Sequence, residues 1–239
     1  MRRNTVSNTI KQKTNTKQKL LCEGCNEGNE ERGRHEITVV PKSYKHEQYN
    51  AIVKCVFLGG SKTGKTLLLT TISHGNNLIN NNNKTISKRN SYYNPTFGVD
   101  FRCIDLKHVD TNIKFQCWDV PGEKEYQVAS IDTYLYGSDI ILLFCDVNVP
   151  HEIINWLNRM EISKYINKQN KVFLICDGKT SLVNYDEHVN IIKQLQDDIM
   201  TTYPSITISD SYIFDFTKLT QFTEVLDCMF KHVYVEIND

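Results

Sequence analysis

Nowhere does the chain carry an apolar run approaching the roughly 18 residues that a membrane span requires. Its opening, Met1-Arg2-Arg3-Asn4-Thr5, lacks the apolar block of a secretory signal. Net charge is missing as well. The 28 Lys and Arg residues balance 28 Asp and Glu, which removes any global case for binding nucleic acid or an anionic membrane. Cysteine spacing shows no regularity. Several of the eight cysteines (Cys55, Cys117, Cys145, Cys176) sit inside strand-like runs, which reads as reduced, buried thiols of an intracellular protein. Cys22-Glu23-Gly24-Cys25 has no second cysteine pair at useful spacing and only His35 and His46 nearby, which is too little for a four-ligand zinc site.

What is present fits one ordinary domain with attached segments. Hydrophobic residues make up 40% of the 239 and charged residues 23%, enough for a substantial core. Residues 1–48 read as a disordered basic tail, because the first twenty carry six Lys and Arg, no acid, and many Asn, Thr and Gln. A solvated tail is the plain reading. An arm drawn to phosphate or membrane, or a cleaved targeting peptide, are the other two. Residues 49–239 read as the folded domain, interrupted by a low-complexity insert at 75–91 in which Asn76 to Asn83 is six-eighths asparagine.

The domain is organised around Gly59-Gly60-Ser61-Lys62-Thr63-Gly64-Lys65-Thr66. An apolar run, Ala51 to Leu58, precedes this stretch, and Leu67-Leu68-Leu69 follows it in a helix predicted from about Lys65 to Ser73. Strand, glycine-bounded loop and helix start come in the order that a phosphate-binding loop needs. The glycines let successive N–H groups point inward at phosphate oxygens, and the helix start adds its positive dipole end. Lys65 is placed to reach the outer phosphates and the Thr66 hydroxyl to bind magnesium.

Downstream, Phe97 to Lys107 and Thr111 to Trp118 suggest an antiparallel hairpin. Apolar strands at Ile140 to Cys145, Lys171 to Cys176 and Tyr212 to Phe214 then alternate with helical spacing over His151 to Ile166, Asp186 to Thr202 and Leu219 to Val235. This pattern indicates an α/β fold with a mostly parallel sheet covered on both faces. Asp119, at the end of an apolar strand and followed by Val120-Pro121-Gly122, is the acid that would hold magnesium through water. Gly122 would let its backbone N–H approach a terminal phosphate.

With these motifs in hand, residues of about 50–235 resemble the small GTPases of the Ras superfamily, and the Rab branch most closely. The markers are Gly59 to Thr66, Thr96-Phe97-Gly98-Val99-Asp100-Phe101 and Trp118-Asp119-Val120-Pro121-Gly122-Glu123. The resemblance implies a P-loop NTPase G-domain with a six-stranded sheet, one antiparallel edge strand, and bound GTP or GDP with Mg2+. It makes Thr96 a magnesium ligand that reads the third phosphate, and it makes residues 92–101 and 119–136 two switch segments that effector or transport-complex proteins read.

Three departures from that family qualify the picture. Glu123 stands where a glutamine usually orients the attacking water. A carboxylate there repels phosphate and donates no hydrogen bond while ionised, so slow hydrolysis is expected, with Glu123 as a base left open. The guanine-reading Asn-Lys-x-Asp run becomes Gly178-Lys179-Thr180-Ser181, which keeps Lys179 but loses the paired acceptor; Asp177 or Asp186 could substitute. The further base contact becomes Phe216-Thr217-Lys218, leaving the backbone and Lys218, and Tyr92 or Tyr93 could stack on the base. Finally, Val235-Glu236-Ile237-Asn238-Asp239 offers no prenylation cysteine, and Met1-Arg2 offers no myristoylation site. No direct lipid anchor is therefore expected, and recruitment to membranes or a ciliary complex would come from partners or the basic tail.

The expected function is thus a Rab-like, GTP-binding switch of vesicle or intraflagellar transport in the cytoplasm. Its catalytic candidates are Lys65 and Glu123, with Thr66, Thr96 and Asp119 positioning the metal. The alternative is a pseudo-GTPase interaction subunit that holds nucleotide constitutively or not at all.

Overall fold

The structure, a computed structural model, describes residues 38–40, 48–73, 95–108, 110–127, 130–177 and 185–214, with 226, 229, 231 and 233 beyond them. Seven strands form one sheet: β1 (Thr38–Val40), β2 (Ala51–Gly59), β3 (Asp100–His108), β4 (Thr111–Asp119), β5 (Ile140–Asp146), β6 (Lys171–Asp177) and β7 (Ile208–Phe214). Their spatial order is β1-β3-β4-β2-β5-β6-β7. β4, β2, β5, β6 and β7 pair in parallel, and β3 runs antiparallel to β4. The six expected strands are present, and β1 adds a seventh on the outer edge of β3, with Val39 opposite Leu106. Residues 38–40 fall inside the segment expected to be tail, so the sheet begins earlier in the chain than residue 49.

Four helices complete the described fold: α1 (Lys65–Ser73), α2 (Ile131–Leu135), α3 (His151–Arg159) and α4 (Tyr185–Thr202). The continuous apolar runs of the strands are explained by burial on both faces. In β2, Val53, Cys55 and Phe57 enter one core cluster with Leu68, Leu69 and Ile72 of α1. Val56 and Leu58 enter the other, with Ile153, Trp156 and Leu157 of α3 and Ile192, Leu195 and Ile199 of α4. Leu226, Met229 and Val233, helical residues within the stretch predicted as the last helix, pack into the first cluster.

Two predicted boundaries move for local reasons. The strand expected from Phe97 starts at Asp100, because Gly98 takes a positive φ of 69° that turns the chain before it can pair. The helix expected from His151 to Ile166 stops at Arg159. Glu161 adopts a left-handed φ of 53°, and a separate 3-10 turn (Ile162–Lys164) follows.

Parallel strands leave β2 toward β4 on one side and toward β5 on the other. A crevice therefore opens at the carboxyl ends of β2 and β4, where such sheets hold ligands. A cavity of about 770 Å³ lies at the opposite end of the sheet, lined by Ile52, Tyr136, Asp139, Tyr165 and Asn170. None of the candidate nucleotide- or metal-binding residues lines it. No helix among the described residues is long and apolar enough to cross a membrane.

Candidate nucleotide site

The loop between β2 and α1 needs its glycines. Gly59 has φ of 137°, and a Cβ there would stand 2.3 Å from the Phe144 carbonyl oxygen, so β5 approaches it at a distance only glycine permits. Gly64 lies at φ 92° and Lys62 at φ 64°, an uncommon conformation for a residue with a side chain. The Thr63 hydroxyl donates to the Gly60 carbonyl at 2.9 Å and closes the turn. Lys65 is only 6% exposed, and its Nζ donates to the Gly59 and Gly60 carbonyls at 2.9 and 2.6 Å. Burial lowers its pKa to about 8, against the opposing pull of the Asp119 and Glu123 carboxylates.

Three oxygens meet beside it. The Thr66 hydroxyl donates to Asp119 Oδ2 at 2.5 Å and lies 3.0 Å from the Thr96 hydroxyl. Asp119, fully buried at the end of β4, has its carboxyl pKa raised by that burial, with Thr66 and Lys65 opposing. Its Oδ1 is buried with no hydrogen-bond partner among the described residues. One carboxylate, whose Oδ1 is the orphaned acceptor, and two hydroxyls make a donor set that suits a hard divalent cation such as magnesium. Among the described residues there is no group of three or more His, Cys, Asp or Glu that could hold a metal, so a cation here would draw its remaining ligands from phosphate and water.

The segment after β4 closes over the loop. A Cβ on Gly122 would lie 2.5 Å from Ser61 N and 2.6 Å from the Gly60 carbonyl carbon. The Gly122 carbonyl accepts from Trp156 Nε1 of α3 at 2.7 Å, and Glu123 Oε1 accepts from the Ser61 hydroxyl at 2.7 Å. The two expected switch segments also touch each other. Gly98 N donates to the Tyr126 carbonyl at 2.8 Å, and the Phe97 and Tyr126 rings are 4.6 Å apart.

In the sequence, Trp156 is one apolar position within the helical spacing of His151 to Ile166, and Ser61 is one residue of the glycine-bounded loop. Their partners come from 34 and 62 residues away, which spacing along the chain cannot reveal. Nor does that spacing reveal an aromatic surface. Phe101 of β3 and Trp118 of β4 are cross-strand neighbours with rings 4.8 Å apart, Tyr134 lies 6.4 Å from Trp118, and Lys54 Nζ sits over the indole at 5.3 Å. Phe97, whose ring packs on Tyr126, is 73% exposed. The register of the hairpin was the available signal, since it pairs Phe101 with Trp118 directly.

Lys179, Ser181 and the rest of 178–181, together with Thr217, Lys218, Tyr92, Tyr93, the CxxC pair and the Asn-rich insert, lie outside the described residues. Asp177 ends β6 almost fully buried, and Asp186 is the second residue of α4.

Residues 54–181 match the family described as Roc, "Ras of Complex, Roc, domain of DAPkinase". The chain is 29% identical over 154 residues to the Ras-related protein Rab-1 of Theileria annulata, an alignment covering 60% of this chain and 63% of that protein. It is 28% identical over 159 residues to Rab-1 of Theileria parva, covering 62% and 64%. With the Ras-related protein SEC4 of Saccharomyces cerevisiae it shares 25% identity over 166 residues, 66% of this chain and 69% of that one. It thus spans less than two thirds of the length of the two Theileria relatives.

Proposed function

The chain belongs to the Roc (Ras of Complex) family and is a Rab-like member of the Ras superfamily of small GTPases, and on that premise we propose that it is a guanine-nucleotide switch of intracellular transport. The observation that carries this reading is the meeting of the Thr66, Asp119 and Thr96 oxygens beside the buried Lys65. Thr96 belongs to one expected switch segment and Asp119 begins the other. A ligand gripped there biases both at once.

In this reading, the loop Gly59 to Thr66 and the Gly122 N–H bind phosphate oxygens, and Lys65 turns from its two carbonyls to the outer phosphates. Lys179 would lay its stem along the base, and Lys218 would supply a further base contact. Thr66, Thr96 and Asp119 would hold magnesium, which would supply positive charge to offset the negative charge of the phosphates. Hydrolysis is slow because Glu123 brings a negative charge where the attacking water must be oriented. Effector or transport-complex proteins dock on residues 92–101 and 119–136, including the exposed Phe101 ring beside Trp118. The protein works in the cytoplasm and reaches membranes through those partners.

The rival reading, a pseudo-GTPase subunit, gains support from Glu123, which already occupies the Ser61 hydroxyl, and from Ser181 at the guanine-reading position. Thermal unfolding of protein first stripped of bound nucleotide, with and without magnesium and GDP or GTP, separates the switch from a subunit that holds no nucleotide. A switch gains several degrees with nucleotide, and Lys65→Ala loses that gain. If nucleotide leaves the wild-type midpoint unmoved, the switch reading fails.

A further inference from the structure

Ser61 and Glu123 form a direct side-chain hydrogen bond between the phosphate loop and the segment after β4, at 2.7 Å. Its geometry is fixed from behind. Gly122 sits against the Gly60–Ser61 backbone with no room for even a methyl group, and Trp156 holds its carbonyl. The main chain leading into Glu123 is therefore clamped between α3 and the loop, and the half-buried carboxylate lies across the loop.

We infer that the Ser61–Glu123 contact is a latch that makes this site select a nucleoside diphosphate over the corresponding triphosphate. The inference rests on the nucleotide-binding reading above. Phosphates nearest the start of α1 meet the N–H groups of the loop and the helix dipole, which the latch leaves free. A third phosphate extends toward Gly122 and reaches the latch. There it meets a carboxylate, which accepts hydrogen bonds but donates none, and a serine whose single O–H is already committed. Like charges at contact distance near a protein surface repel strongly enough to change affinity by a factor of ten or more.

Lys65 is the nearby cation that could offset this repulsion. It already faces two carboxylates, Asp119 and Glu123, and bonds two loop carbonyls. To admit the third phosphate, the latch must open and Glu123 must swing away from Ser61. The resting state of the protein is then the diphosphate form. A partner that draws Glu123 off the loop would favour the triphosphate form without touching the nucleotide.

Competition binding on the full chain tests this. A fluorescent GDP is displaced, in magnesium, by unlabelled GDP and by a non-hydrolysable GTP analogue, for wild type, Glu123→Gln, Ser61→Ala and Trp156→Phe. Wild type is expected to favour the diphosphate by about tenfold or more. Glu123→Gln should shrink that ratio by about tenfold, and Ser61→Ala and Trp156→Phe by smaller factors in the same direction. Equal wild-type affinity for the two ligands, or a ratio unmoved by both Glu123→Gln and Ser61→Ala, overturns the latch and leaves nucleotide binding intact. Failure of wild type to bind the fluorescent GDP at all overturns the nucleotide-binding reading, and the latch with it.

Discussion

The indole Nε1 of Trp156 donates to the carbonyl oxygen of Gly122 at 2.7 Å, joining the middle of α3 to the segment that follows β4. Trp156 is almost wholly buried beside Ile153 and Leu157 in the core cluster on that face of the sheet. One residue thus serves packing and position together: its ring fills the core, and its single polar atom fixes the peptide that precedes Glu123. The same ring edge lies 3.9 Å from where a Cβ of Gly60 would be, so the phosphate loop, Gly122 and α3 meet at one point.

Trp156→Phe should keep most of the ring packing but leave the buried Gly122 carbonyl without its donor. The expected cost is about 1–3 kcal/mol in chemical denaturation. Because the lost bond anchors the second switch segment, bound nucleotide should also leave faster, measured by displacement of a fluorescent analogue. A variant with wild-type stability and wild-type release would show that the contact holds nothing in place.

Gly122→Ala tests the same junction from the other side. The added carbon would fall 2.5 Å from Ser61 N, and the neighbour is backbone that has no rotamer to change. The segment should be pushed off the loop. Limited proteolysis within residues 119–136 should then be faster and no longer slowed by nucleotide. Unchanged protection would mean that the junction yields easily.

These two contacts mark the boundary of what the sequence made legible. The parallel sheet, the phosphate loop, α1 and the roles offered for Lys65, Thr66 and Asp119 follow from local order: strand, glycines, helix, then an acid at a strand end; the role of Thr96 comes from the family resemblance alone. The Trp156–Gly122 and Ser61–Glu123 contacts do not. They join segments brought together by the pairing of β2 with β4 and the packing of α3 against those strands, and Trp156 fits the helical apolar pattern so fully that spacing alone does not mark its indole N–H. β1 was missed because three residues in a polar surrounding carry too little pattern to stand out. The helix beginning at His151 was drawn too long because Ile162 and Ile166 continue the helical spacing through the left-handed turn at Glu161.

Lys65 predicts a pH dependence with a definite sign. Burial brings its pKa down from 10.5 to about 8, so above that value the folded, ligand-free protein sheds a proton that the unfolded chain keeps. Stability of the ligand-free protein should therefore rise with pH between about 8 and 10.5, as the cost of burying the charge is relieved. Nucleotide affinity should move the other way. Phosphate needs the ammonium, so binding takes up a proton above pH of about 8, and affinity falls as pH climbs through it. Titrations from about pH 7 to about pH 9.5 should show this fall in wild type and lose it in Lys65→Met. A flat wild-type profile would contradict the assignment of Lys65 to the phosphates.

Glu123→Gln should raise the rate of single-turnover GTP hydrolysis, by about tenfold if the carboxylate's repulsion contributes one decade to the barrier. The amide removes the negative charge and gains a donor for the attacking water. An unchanged or lower rate would identify Glu123 as a working base and not as an impediment.

Every role proposed for these residues requires nucleotide to be held at the meeting point of Thr66, Asp119, Thr96 and Lys65. The most direct measurement is chromatography of what is released when the freshly purified full-length protein is denatured, compared with Lys65→Ala and Asp119→Asn prepared alongside. The account predicts guanine nucleotide at close to one per chain in wild type, mostly as the diphosphate, and a large loss from both variants. Wild-type protein that releases no nucleotide, and binds none when GDP and magnesium are added back, would contradict it.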